Sequence, residues 1–339
     1  MKLAPALAGM AIVVTTCATA GVRMPAAKSA PQSEHQRHIE FLYVAHIPAL
    51  PAGAHAMRIW IPIPQEDTHQ QITNVRIASP LAPHIVTQEN YGNKLAYFDF
   101  STTATRGPFD IRLAFDAQRD EYKVKLPVGD PVAAGAFSPD VAHFLQPDRL
   151  VPIDGIIGEI SREQTKGIAD PLAKARALYD YVLRNMHYDH AGTGWGRGDA
   201  VWACSSHHGN CTDFHSLFIG LARAADIPAR FEIGFSLPAD AQGKIGGYHC
   251  WAEFYIQGIG WIPIDAAEAS QMPAKRDYFF GALDENRVRF SRGRDLQLNP
   301  KQTGAPVNYL VYPYAELDGK PFSGIKTEFA YKNLKAPAR

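Results

Sequence analysis

The stretch Gly209-Asn210-Cys211-Thr212-Asp213-Phe214-His215-Ser216-Leu217-Phe218 places a cysteine at the start of a helix. Phe214, Leu217, Phe218, Leu221 and Ala225 recur at helical spacing and mark one buried face. Asn210 is a good N-cap, and Asp213 stands three residues on, the box-like signature of a helix start. Asp226-Ile227-Pro228 ends the helix. Cys211 therefore occupies the first turn, where backbone amides and the macrodipole favour an anion. Gly209 leaves room for a ligand to approach the backbone. Such a position suits either a nucleophile or a small buried cysteine.

Two segments downstream supply a base and a carboxylate. Tyr248-His249-Cys250-Trp251-Ala252-Glu253-Phe254-Tyr255 and Trp261-Ile262-Pro263-Ile264-Asp265 flank Ile256-Gln257-Gly258, a three-residue hairpin loop. Pairing about Gln257 sets Glu253 opposite Trp261, Trp251 opposite Pro263 and His249 opposite Asp265. Cys250, Ala252, Phe254, Ile262 and Ile264 form the other, apolar face. A histidine against a carboxylate is the second half of a nucleophile–base–orienter unit. A structural His–Asp pair is the plainer alternative; with Cys211 upstream, catalysis is the expectation.

These residues resemble the transglutaminase-like superfamily. The resemblance rests on Gly-Asn-Cys at a helix start, Asp226-Ile227-Pro228-Ala229-Arg230, His-x-Trp-x-Glu from His249, and Gly260-Trp261-Ile262-Pro263-Ile264-Asp265. It spans roughly Asp154 to Pro300. Trp60-Ile61-Pro62-Ile63-Pro64, in the leading half, resembles the N-terminal sandwich of bacterial exported members. Cys250 departs from the pattern, since a small residue is commoner after the histidine. No acidic calcium-binding loop is present, so the calcium-activated animal enzymes are a poor functional guide.

The resemblance implies an α+β chain: an N-terminal β-sandwich, then a papain-like transglutaminase core with a Cys-bearing helix on an antiparallel sheet. It implies a catalytic triad of Cys211, His249 and Asp265 and acyl transfer from a peptide-like amide, without a cofactor or metal. Hydrolysis is expected over crosslinking, and a non-catalytic scaffold that keeps the fold is the alternative. The Cys211 backbone N–H is one oxyanion donor. The family's use of an indole N–H makes Trp202 and Trp195 candidates for the second. Asn210 and Glu253 are further candidates for contact with substrate.

Other polar groups have blander readings. His215 shares the face of Cys211 and is expected to be buried and satisfied. Cys204, His207, His208 and Cys211 resemble a zinc set only loosely, because the spacing is irregular. Arg287, Arg289, Arg292 and Arg294 alternate with apolar residues, as on a solvated strand face or one that reads a carboxylate.

The remaining sequence sets the organisation. The 339 residues suggest about two domains. Hydrophobic residues make up 46% and charged residues 20%, which excludes a mostly disordered chain. Lys+Arg and Asp+Glu are both 34, which argues against nucleic acid as a partner. A peptide or protein amide is the expected substrate. Lys2, the apolar run Leu3–Val14 and Ala18-Thr19-Ala20 read as a signal peptide over 1–20. The run is shorter than the about 20 residues a membrane span needs, and no later segment qualifies. The expected location is periplasmic or secreted. A lipid anchor at Cys17 is less favoured, because Thr16 is a poor residue there. Residues 21–37 read as a flexible leader, 38–126 as a β-sandwich and 127–152, rich in Pro and Gly, as a linker or crossing segment. Residues 153–339 read as the catalytic domain with its C-terminal strands. Leu172, Ala175, Leu178, Val182 and Met186 mark a helix started by Asp170-Pro171. Cys204, Cys211 and Cys250 remain after signal removal, so an unpaired thiol is expected.

Overall fold

The computed structural model describes residues 35–101, 103, 105, 107–127 and 136–334. The expected signal peptide, Cys17 and most of the leader lie outside these residues. The first strands are β1 (Gln36–Ile47), β2 (Met57–Pro62), β3 (Gln70–Ala78), β4 (His84–Thr87), β5 (Lys94–Asp99), β6 (Phe109–Asp120) and β7 (Tyr122–Lys123). In β1, Ile39, Phe41, Tyr43, Ala45 and Ile47 are buried at every second position, the period of a strand with one face on a core. Ile111, Leu113, Phe115 and Ala117 do the same in β6, and Phe41 stacks on Phe115 at 5.2 Å.

The middle of the chain is helical. It contains α1 (Pro139–Ala142), α2 (Gly155–Gln164), α3 (Pro171–Asn185), β8 (His187–Tyr188), α4 (Ala200–Ser206), β9 (His208–Gly209) and α5 (Cys211–Ala224). Asp170 caps α3 by accepting from the Ala173 amide, and Pro171 opens the first turn. Helix α5 is buried nearly all round, with Phe214, Leu217, Phe218 and Leu221 along its apolar side. Each such side chain stabilises the fold by about 1.5–3 kcal/mol.

The last part holds β10 (Ala229–Ser236), β11 (Gln242–Ile245), β12 (His249–Ile256), β13 (Gly260–Ile264), α6 (Ala266–Gln271), β14 (Ala282–Leu283), β15 (Arg287–Arg292), β16 (Tyr314–Leu317), β17 (Lys320–Pro321) and β18 (Lys326–Asn333). A four-stranded antiparallel sheet, in the order β13-β12-β10-β15, covers α5. Two five-stranded antiparallel sheets, ordered β11-β18-β1-β6-β3 and β17-β16-β2-β5-β4, turn apolar faces into a shared core.

Strand pairing corrects the expected assignment of the C-terminal strands to the catalytic part. β18 pairs with β1, with Phe41 opposite Tyr331 and Tyr43 opposite Phe329. β16 pairs with β2, with Trp60 opposite Tyr314. In β18, Phe329 and Tyr331 are buried two residues apart, which suits a sheet with one buried face. β11 also joins the sandwich, on the far side of β18. Residues 136–152, expected within a linker or crossing segment, are packed: Phe144 and Val151 are buried, and Asp148 pairs with Arg223 of α5 at 2.7 Å. The described residues accordingly form one compact unit.

Candidate active site

Cys211 is the first residue of α5. Asn210 Oδ1 accepts from the Thr212 amide at 2.9 Å, and Asp213 Oδ2 accepts from the Asn210 amide at 3.0 Å. That is the capping box expected from sequence. Asp213 also accepts from the amides of Gly196 (2.7 Å) and Gly198 (3.0 Å), so one carboxylate ties the glycine-rich loop at 190–198 to the helix start. Its burial and the nearby Cys211 push its pKa up against these three bonds. Gly209 has a different reason from the one expected. A Cβ there would lie 2.5 Å from Asp213 Oδ2, and its φ is +152°. The missing side chain makes room for the capping carboxylate, not for a ligand.

His249 opens β12, and its Nε2 lies 2.6 Å from Asp265 Oδ2. The hairpin turns about Gly258: Ile256 pairs with Gly260, Glu253 with Pro263 and Ala252 with Ile264. The register therefore differs by two residues from the sequence-derived one. An even slip leaves each side chain on its face, so His249 and Asp265 still meet, along a diagonal. Asp265 lies past the end of β13 and caps α6, where its Oδ1 accepts from the Glu268 amide at 2.9 Å. Arg287 Nη1 donates to Asp265 Oδ2 at 3.0 Å. Trp251 is buried beside this pair, with its ring 6.3 Å from that of His249 and 5.3 Å from the Arg287 guanidinium.

Cys211 and His249 are near enough for each to shift the other's pKa. Cys211 is 2% exposed, His249 8% and Asp265 0%. Burial pushes the Cys211 pKa up. Hydrogen bonds from Cys250 and His249 and the charge of His249 outweigh burial and hold it well below the usual thiol value. Burial pushes the His249 pKa down, and the Asp265 charge and hydrogen bond reverse this, raising it well above normal. The two shifts are one interaction viewed from both partners. Asp265 stays ionised: burial opposes its charge, but His249 and Arg287 lower its pKa strongly.

Neighbouring residues fill structural roles. His215 is buried; its Nε2 accepts from the Ala266 amide at 3.1 Å, and its Nδ1 faces the Cys211 carbonyl and lies 3.6 Å from Cys250 Sγ. Burial lowers its pKa, which keeps the ring neutral. Cys204, Cys211 and Cys250 are all free thiols. Burial and the adjacent Cys211 raise the Cys250 pKa, so Cys250 remains a thiol.

The other predicted residues have partners of their own. Glu253 is engaged by Arg230, at 2.9 Å from Nε, and that guanidinium stacks 3.8 Å over the Trp261 ring. Trp195, 36% exposed, packs against His190 at 4.5 Å. The Trp202 indole lies over Gly194 and edge-on to His208. Asn210 Nδ2 donates to the Tyr248 hydroxyl at 2.9 Å. The four arginines of 287–294 form no solvated face and read no free carboxylate. Arg289 and Arg292 pair with buried Glu232, Arg289 also pairs with Asp67 at 3.1 Å, and Arg294 is held by Ser216, Asn308 and the Gly198 carbonyl. Glu232 and Asp67 lie far from Arg289 and Arg292 in sequence, which hides these pairs from local pattern.

Among the described residues, His249, Asp265 and Glu268 are the one close group with metal-ligand chemistry. The cation that this acidic set requires is Arg287, which also bonds Glu268 (3.4 Å) and Asp284 (3.3 Å). His208 is instead bonded to the carbonyls of Ser206 and Ala191, which leaves the zinc set unassembled. Glu268 and Tyr188, both near the triad, were not singled out from sequence. Neither carries a local signal, because each reaches the site through tertiary packing.

A description of the transglutaminase-like superfamily matches residues 158–266. An uncharacterized protein of Haemophilus influenzae is 30% identical over 320 residues, covering 83% of this chain and 87% of the relative. The crystal structure of a candidate cysteine protease from Cytophaga hutchinsonii superposes with TM-score 0.58 at 17% identity, over 90% of this chain and 92% of the other, and shares the fold. The periplasmic domain of TgpA from Pseudomonas aeruginosa is more distant, with TM-score 0.36 at 18% identity over 69% of this chain and 89% of that domain. This chain belongs to the transglutaminase-like superfamily.

Proposed function

We propose that this protein is an exported cysteine hydrolase that cleaves peptide-like amide bonds through a thioester on Cys211. The observation behind this reading is the bonded His249–Asp265 pair beside Cys211 at a capped helix start, with the thiol acidified and the imidazole made more basic. The Cys211 thiolate adds to the amide carbonyl, and the Cys211 amide donates to the oxyanion. The His249 imidazolium then protonates the leaving amine as the C–N bond breaks. Neutral His249 next takes a proton from water, whose oxygen attacks the thioester carbonyl. Collapse releases the acid, and the proton returns to the Cys211–His249 pair. Asp265 holds Nε2–H and leaves the other ring nitrogen to serve the thiol. Export rests on residues 1–20 of the sequence.

The test is the rate of Cys211 alkylation by iodoacetamide against pH, in wild type and His249→Ala. A plateau reached well below the free-thiol pKa of about 8.5, and lost in the variant, is expected. An inert Cys211 in wild type refutes the enzyme reading and leaves a binding scaffold.

A further inference from the structure

Glu268 is a mostly buried carboxylate beside the triad, and the mechanism above gives it no task. Asp265 caps α6, and Glu268 stands three residues on, the two side-chain positions of a capping box. In such a box the second side chain turns back to the amide of the cap residue. Here that amide is taken, because Asp265 N–H donates to the Phe279 carbonyl at 3.0 Å. The Glu268 carboxylate turns instead to two nitrogen groups, one oxygen toward each. Its Oε1 is 3.6 Å from His249 Nε2, and its Oε2 is 3.4 Å from Arg287 Nη2.

The charges around His249 show what this placement does. Asp265 Oδ2 accepts from both His249 Nε2 and Arg287 Nη1. Once His249 is protonated, one carboxylate faces two cations. We infer that Glu268 is a positioning residue that supplies the second negative charge for the His249 imidazolium, an inference that rests on the cysteine-enzyme reading above. At 3.6 Å it makes no hydrogen bond to the ring, so it acts by charge while Asp265 keeps the N–H. The other groups facing His249 do not replace it. Arg287, from β15, is a cation, and Asp284 pairs with that arginine rather than with the ring. Burial keeps His215 of α5 neutral, and Cys250, next along β12, remains a thiol. From β10 comes the Ser236 hydroxyl, 3.5 Å from Glu268 Oε1. The Cys211 thiolate opposes the imidazolium only in the resting site. As it adds to a carbonyl, its charge moves to the oxyanion, and the carboxylates must hold the imidazolium until the leaving amine takes the proton. Burial raises the Glu268 pKa, Arg287 and His249 oppose the rise, and Asp265 adds to it. Its charge is therefore lost before that of Asp265 as pH falls.

The experiment is a pH titration of the His249 ring nitrogens by ¹⁵N NMR in wild type, Glu268→Gln and Glu268→Asp. Loss of the signals in His249→Ala assigns them. The signals followed come from folded molecules, so a loss of stability does not imitate a shift in midpoint. Glu268→Gln keeps the shape and removes the charge. Its His249 midpoint is expected about one pH unit below wild type, a tenfold weaker hold on the proton, as for loss of an opposite charge at this range. Glu268→Asp keeps the charge and is expected to recover at least half of that fall. A Gln midpoint within about 0.3 unit of wild type overturns the assignment, since a charge this close shifts a buried group by more. A fall in Glu268→Asp as large as in Glu268→Gln also overturns it, because packing rather than charge is then responsible. Iodoacetamide labelling of wild-type Cys211 is run alongside. An inert Cys211 refutes the enzyme reading, and with it a catalytic purpose for the charge, whatever the midpoints show.

Discussion

Arg287 and Asp265 form an ion pair at 3.0 Å, and neither side chain has any exposed surface. The same Asp265 oxygen accepts from His249, so a buried arginine stabilises the charge that orients the candidate base. Arg287 also faces Glu268 and Asp284, one cation among three carboxylates.

Removing that cation leaves buried negative charge without a partner. Arg287→Met is expected to lower stability by about 3–5 kcal/mol, the usual result of breaking one side of a buried pair. Urea denaturation of the two proteins measures it. A loss under about 1 kcal/mol would mean that the carboxylates take up protons instead.

Asp265→Asn keeps the shape but not the charge. Asp265 has a lowered pKa in the folded state, so its ionised form adds stability above the unfolded carboxylate value. The wild-type advantage over the variant should be full above about pH 4 and shrink as pH falls further, towards the depressed folded pKa. Denaturation midpoints between pH 7 and 3 check this. The same variant should lower turnover by roughly 10²–10⁴-fold and move the Cys211 alkylation profile to higher pH.

The three thiols should separate by reactivity. Cys211 is acidified, whereas burial raises the pKa of both Cys204 and Cys250. With less than one equivalent of iodoacetamide at pH 7, site-resolved mass spectrometry should find the label on Cys211. Preferential labelling of the more exposed Cys204 would show that access, not ionisation, governs the reaction.

Gly209→Ala should disturb the site without touching the triad. The new Cβ displaces the Asp213 carboxylate, which releases the Asn210 amide and the loop amides of Gly196 and Gly198. A loss of about 1–3 kcal/mol is expected from backbone strain and the broken cap. Thermal denaturation and the alkylation rate of Cys211 should fall together. A stable variant with a wild-type rate would show that Asp213 relocates freely.

Much of the site is legible because its signals are local. The α5 capping box, the apolar face ending at Ala225 and the alternation in β12 each need only a few neighbouring residues. The hairpin register slipped by two because Gly258 and Gly260 both suit the turn, with φ of +83° and +103°. The slip is harmless because strand faces repeat every two residues. Long-range partners were hidden. Arg289 is matched by Asp67, 222 positions away. A two-residue strand such as β8 has no period to detect, so Tyr188 gave no warning. β18 reads as a strand, but nothing in it names β1 as the neighbour.

The place of β18 against β1 also governs how the molecule can be assembled. A chain delivered from its N-terminus, at the ribosome or through a translocation pore, presents β1 long before β18. Until residues 326–333 arrive, one edge of β1 has unpaired amides and carbonyls, ready to recruit any passing strand. The sheet nearest the start of the chain is thus among the last to close. During that interval the protein is most exposed to aggregation and to proteolysis, and a holding chaperone would have its clearest task.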